Sequence, residues 1–429
     1  MELNGLSVDQ APPISSPLRF FLTAPLFGVL AGILIFLSDT TALMGRYSID
    51  SIIVTHAITI GMFGFIMLGA LTQMLPVLAS AKIYKVKLVT TISHFLLTSG
   101  LLAMLFGLKL QIALLSTFAY LFLGTGFLIM IVSIGYSIKS VKSINATIKG
   151  MIVSLIFAFL IVLMGVVLLY EYAVGSISEI HFLLANVHSV WAIYGFSGIL
   201  IIAVSFQVLP MFYVAPKFKQ FCKKRVVNLI SIGLVIWLIS NLYFEEYSLY
   251  AKLWIATFFW AFATTVWLKL NKRKRPISDV TVWYWRAASI FLTLGSFLWI
   301  FDEFFKHEYI VMVGILIGGG FILSIMIGML YKIVPFLVWF HLNGMGYMNI
   351  PTLTEMIDGD LAKVQFTLLM LSLIGFIFAF YMPGLLYPSA TLFTVSMLIL
   401  EYNVAIAALV YMKTIKTKPD FDMSMFKVS

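Results

Sequence analysis

Long apolar runs separated by short polar connections mark this chain from one end to the other. The runs are too long and too continuous for the alternating strands of an outer-membrane barrel. Inside lipid every backbone polar group must be satisfied within its own segment, so the runs are read as helices. The pattern predicts spans at approximately 20–38, 52–79, 89–108, 112–134, 150–170, 181–212, 227–243, 249–268, 283–304, 309–338, 366–382 and 388–412. The expected fold is all-α: an integral membrane domain over residues 1–429, with about twelve transmembrane helices. The second, sixth and tenth runs are unusually long, so those helices must tilt or project beyond the hydrocarbon. The sizeable loop is His341 to Lys363; within it, acidic Thr352 to Leu361 reads as a short surface helix.

Composition agrees with a lipid environment. The apolar fraction is 62%, charged residues make up 11%, and mean hydropathy is +1.04, beyond what a soluble domain could bury. The charges set an orientation. Lys82, Lys85 and Lys87 follow the second run, and Lys139, Lys142 and Lys149 the fourth. Lys217, Lys219, Lys223, Lys224 and Arg225 follow the sixth; Lys272 to Arg275 follow the eighth. The tail carries Lys413, Lys416 and Lys418. Opposite loops carry Asp39, Asp50, Glu171, Glu179, Glu245, Glu246, Asp302 and Glu303. This positive-inside pattern predicts cytoplasmic N- and C-termini in a bacterial inner membrane, and it accounts for the net charge of +10 without nucleic acid. Met1 to Pro17 lacks the basic start of a cleavable signal. Cys222, the single cysteine, excludes an intrachain disulfide or a cysteine-cluster metal site.

Three of the runs repeat. Aligned on Pro76, Pro210 and Pro335, the second, sixth and tenth place Gly61, Gly195 and Gly320 fifteen positions earlier. Gly64 matches Gly198, with Leu323 in the third copy; Gly69 matches Gly328, with Ala203 in the second. Gln73, Gln207 and Lys332 stand three positions before each proline. A spacing of roughly 130 residues holds four spans, so the chain reads as three pseudo-repeats of four helices.

Ionisable groups inside a membrane are costly and mark candidate sites. Of six histidines, His56 and His188 fall near the outer ends of the second and sixth spans. His181 shares a face with His188, about 10 Å away along the axis. His307 falls at the mouth of the tenth span, and His94 and His341 read as interfacial. A neutral imidazole ligates haem iron or copper, and Gly61 and Gly64 would leave a bare face for a flat macrocycle. The alternative is histidines bonded to neighbouring helices, with glycines serving close packing, as expected for Gly318 to Gly320. Gln73, Gln207 and Lys332 either line a central polar pathway or, for the glutamines, bond carbonyls freed by the prolines. Glu401, midway through the last span, is the candidate proton carrier.

Twelve spans, three pseudo-repeats, and His56 twenty positions before Pro76 in a Gly-rich helix resemble subunit I of the haem-copper oxidases and nitric oxide reductases. The opening PLRFFLTAPLFGVLAGIL and general layout are also similar to the NnrS family of haem- and copper-containing membrane proteins. The resemblance implies a non-covalent b-type haem on His56, with His188 or His181 as partner, and less readily copper on His56 and His188. It implies a role in nitric oxide or redox stress, or in respiratory-chain support beside a cytochrome or assembly partner. The departures are that the tenth span has no histidine, the seventh lacks a histidine pair, and MPGLLYPS lacks arginines. A complete oxygen- or nitric-oxide-reducing centre is therefore not expected. The competing readings are a haem-free transporter or channel using Glu401 and Lys332, and a non-catalytic partner subunit of a respiratory complex.

Overall fold

The structure, a computed structural model, describes residues 2–3, 6–7, 11–79, 81–141, 143–275, 278–305 and 308–421. The protein is an all-α polytopic membrane protein. Among the described residues twelve helices are long and apolar enough to cross a membrane: Ser15–Phe36, Ile49–Pro76, Val86–Lys109, Ala113–Ile138, Ala146–Val174, His181–Tyr213, Gln220–Tyr243, Glu245–Asn271, Val280–Phe305, Ile310–Gly344, Gly359–Ala379 and Pro383–Thr414. They are numbered one to twelve in that order. Strand structure among the described residues is a two-residue ladder, Glu2–Leu3 against Leu6–Ser7.

Most helices run past the apolar runs that announce them, because polar caps rather than hydropathy set their ends. Ser48 Oγ accepts from Ser51 N ahead of the second span, and Asn145 Oδ1 accepts from Ile148 N ahead of the fifth. Gly175, at φ +69°, ends the fifth span in the left-handed conformation that costs glycine nothing. The stretch expected as a surface helix is corrected. Residues 352–357 form turns, and Asp358 Oδ1 caps the eleventh span by accepting from Asp360 N and Leu361 N.

The second, sixth and tenth spans form the centre, with 67%, 78% and 67% of their apolar windows buried, against 56% or less elsewhere. The first and twelfth pack together and close the ring around them. The threefold repeat holds in three dimensions. Each central span contains a π-helical segment, at Thr59–Gly64, Trp191–Gly198 and Ile315–Leu323. Every one ends twelve residues before its proline, and the third touches the other two. Such wide turns are rare and recur at functional sites.

The matched glycines explain how each pair of neighbouring spans docks. A methyl group on Gly61 would lie 2.5 Å from Phe27 Cβ, on Gly195 2.6 Å from Phe157, and on Gly320 2.3 Å from Phe291. Those phenylalanines come from the first, fifth and ninth spans, the equivalent partner in each repeat. Where the second copy has Ala203 in place of a glycine, its partner supplies the space instead: a methyl on Gly150 would lie 2.2 Å from Ala203 Cβ. Close approach between helices is the main attractive device available in lipid, where burial of apolar surface drives little association.

Candidate functional site

All three central spans begin at one end of the bundle, here called the histidine end, and place their prolines towards the other. At the histidine end lies an apolar cavity of about 500 Å³, within the range of small-molecule and cofactor sites. His56, His181 and His188 all line it.

His56 and His188 stand on equivalent helices, each three residues before a π segment, though the second segment is longer and sets His188 two residues farther from its proline. Their rings are near-parallel, 27° apart, with centres separated by 6.2 Å. The Nδ1–H of His56 donates to Ile52 O of its own helix at 2.7 Å. The Nδ1–H of His188 donates to Ile161 O of the fifth span at 2.9 Å. A carbonyl can only accept, so both rings carry their proton on Nδ1 and keep the Nε2 lone pair for a ligand. Gly165 makes the second bond accessible: a methyl there would lie 3.1 Å from His188 Cε1.

The separation has a chemical meaning. With metal–nitrogen bonds of about 2.0 Å, and roughly 1.1 Å from nitrogen to ring centre, two imidazoles on opposite sides of one metal have centres about 6.2 Å apart. The ring separation matches that spacing, and His56 and His188 would be the residues to hold such a metal. Among the described residues no group of three or more His, Cys, Asp or Glu side chains is gathered to hold a metal ion.

His181 is separate from the pair. It is buried, bonded through Nδ1 to Glu171 Oε2, and packed edge-on against Tyr172 and Phe182. His307 lies outside the described residues. His94 is not simply interfacial: its Nε2 bonds Thr23 Oγ1 at 2.8 Å, and its ring packs edge-on against Phe20 and Phe65. His341 sits near the end of the tenth span, edge-on to Phe340.

The glycine expectation needs correction at Gly61, which is filled by Phe27; Gly64 does line the cavity, a methyl there meeting the Phe127 ring at an ordinary 3.4 Å. The third copy supplies more bare backbone. Gly314 and Gly318 line the cavity, and a methyl on either would meet nothing within 4 Å. Of the triple glycine, Gly319 and Gly320 serve close packing, against Leu373 and Phe291, and Gly318 does not.

The remaining polar candidates are not brought to this site. Gln73 is buried with neither amide atom bonded among the described residues, and Gln207 is exposed, so the expected bonds to freed carbonyls are not seen among them. Lys332 pairs with Asp279 at the proline end, 5.9 Å from the Tyr213 ring centre. The small gap between the three central spans, about 60 Å³, is lined by Met67, Leu71, Met74, Val204, Met326 and Met329 among others, and by none of these three residues. Glu401 lines neither cavity, and its Oε2 is buried without a partner among the described residues. Sequence reasoning missed Arg46, which lines the large cavity. The available signal was an arginine on the base-poor side of a positive-inside pattern.

No family model matches the chain, and no curated protein matches it. The likeness to haem-copper oxidases and to the NnrS family rests on the residues alone.

Proposed function

We propose that this protein holds a non-covalent b-type haem between His56 and His188 and carries electrons in support of a respiratory chain or redox-stress response. The observation that carries the reading is the near-parallel imidazole pair, 6.2 Å apart, facing an apolar cavity of about 500 Å³. When bound, the haem supplies reversible one-electron chemistry. The protein's part is to hold and orient. Carbonyls of Ile52 and Ile161 fix both tautomers and raise the basicity of the ligating nitrogens. Gly314 and Gly318 leave open space along one wall, and the apolar lining keeps water out. If His56 and His188 both held the haem iron, they would leave no site for a gas, and the bound group would serve electron transfer rather than reduction of oxygen or nitric oxide. Copper on the pair is the weaker reading, since no third donor joins it among the described residues. A transporter moving solute along a polar path between the central spans is also weaker, because the gap there is lined by methionine, aliphatic side chains and Trp285, with Ser205 as its hydroxyl.

The positive-inside charges support an orientation with the histidine end at the outer face of a bacterial inner membrane and both termini in the cytoplasm. A cytochrome or assembly partner of a respiratory complex would dock at that outer face. Absorption spectra of the detergent-purified protein test the reading, oxidised and dithionite-reduced, beside His56→Ala and His188→Ala. A Soret band that shifts on reduction and is lost or converted to a five-coordinate form in either variant is expected. Protein expressed with ample haem supply that shows no Soret band would refute it.

A further inference from the structure

The cavity is apolar along most of its wall, yet one arginine reaches it. Arg46 follows the short helix Thr40–Met44 in the loop between the first two spans. Its Nη2 donates to Asn186 Oδ1 at 3.0 Å and to Ser189 Oγ at 2.7 Å, both on the sixth span, one of them beside His188. Its guanidinium lies 5.2 Å from the Tyr47 ring centre, and Tyr47 packs edge-on against Phe182 at 4.9 Å. The loop is thus strapped across the mouth of the cavity with a cation on its inner side.

Lys109 pairs with Asp50, Lys252 with Glu303 and Lys332 with Asp279. The bonding partners of Arg46 are neutral. Arg19 and Arg286 also bond neutral groups, but neither lines the cavity, as Arg46 does. Burial pushes its pKa below the ordinary value, with Tyr47 and Asp302 only opposing the fall. Asp302 acts on it through space but is not among its hydrogen-bond partners, so a partly desolvated guanidinium bonded to neutral groups is an expensive arrangement that an anion in the cavity would ease. Both of its bonds run through Nη2, which belongs to each of the guanidinium's two bidentate edges, so Nη1 is the nitrogen placed to give a charge-assisted bond to a carboxylate.

We infer that Arg46 is the carboxylate-recognising residue of this cavity, held by Asn186 and Ser189 so that it receives the anionic edge of the bound ligand. This rests on the haem reading, in which the anionic edge is a porphyrin's carboxylates. The cavity would then select an amphiphile with an apolar body, two histidine-ligated faces and a charged rim at the mouth.

The test titrates haem-depleted protein with iron protoporphyrin and with its dimethyl ester, which keeps the metal and ring but removes the charges. Arg46→Gln is expected to weaken binding of the acid by about 10- to 100-fold, the worth of a charge-assisted bond, and to leave the ester within a few-fold. Arg46→Lys should fall between, keeping the charge without a second nitrogen to be held by Asn186 and Ser189. Equal losses for acid and ester in Arg46→Gln would make the residue a loop tether and overturn the inference, as would no loss for either. Wild-type protein binding neither porphyrin would overturn the haem reading and this inference with it. If Arg46→Gln fails to fold, Asn186→Ala and Ser189→Ala serve: each should shrink the preference for acid over ester, and an unchanged preference in both would count against Arg46.

Discussion

Gly318 and Gly320 lie two residues apart in the same π segment, yet the structure predicts opposite responses to one added methyl group. At Gly318 the methyl meets nothing within 4 Å. Gly318→Ala should therefore gain the ordinary helical advantage of alanine over glycine, about 0.5–1 kcal/mol. At Gly320 the methyl would lie 2.3 Å from Phe291 Cγ, with two more ring and side-chain atoms within 2.6 Å. Phe291 belongs to the ninth span and cannot retreat without opening the seam between the two helices. Overpacking of this kind costs about 1–3 kcal/mol. Thermal unfolding in one detergent, followed by fluorescence, should move the midpoint up for Gly318→Ala and down for Gly320→Ala. A bulkier change at the open position separates fold from site: Gly318→Leu should keep a folded protein while filling the cavity and reducing haem content. Equal destabilisation by both alanines would refute the assignment of Gly318 to the cavity wall.

Other outcomes follow from the same geometry. Gly165→Ala presses on His188 Cε1 and should weaken its bond to Ile161 O, costing about 0.5–1.5 kcal/mol and raising the five-coordinate fraction in the absorption spectrum; an unchanged spectrum would mean the ring is not held there. Asp279, outside the spans, is pushed up by burial but held on balance below its ordinary 3.8 by the ion pair with Lys332 and by its bonds to Thr281 and Val282. A depressed carboxyl contributes stability that is present above its ordinary pKa and lost as pH falls through the lower folded value. Asp279→Asn should thus cost about 1 kcal/mol near neutral pH, discounted for solvent access, and flatten the acid limb of a stability profile. Glu401→Gln should change stability by less than about 1 kcal/mol and leave haem spectra intact, because Glu401 lies away from the histidine pair; loss of haem in that variant would contradict its placement.

Much of this architecture was legible in the order of residues. Twelve spans, the threefold repeat and the placing of His56 and His188 on repeat-equivalent helices all follow from hydropathy, three prolines and matched glycines. Legibility stopped where function depends on what faces what. Gly61 and Gly318 are indistinguishable as letters, but a phenylalanine from the first span fills one and the cavity borders the other. Gln73, Gln207 and Lys332 occupy one register position in three copies, yet they find three environments: buried without bonds, exposed, and ion-paired. The π segments explain part of the difficulty. Five-residue spacing adds about one residue per wide turn, so a face counted at 3.6 residues per turn is rotated on passing through it. Arg46 was readable as a charge on the wrong side of the topology pattern, but its bonds to the sixth span join residues 140 and 143 positions apart.

Electron paramagnetic resonance of the oxidised, haem-loaded protein tests the central claim most directly. Two imidazoles 27° from parallel predict a rhombic low-spin ferric signal, lost to a high-spin signal in His56→Ala and in His188→Ala. A high-spin signal in the wild type, or the strongly anisotropic low-spin signal of perpendicular imidazoles, would contradict the assignment of this pair.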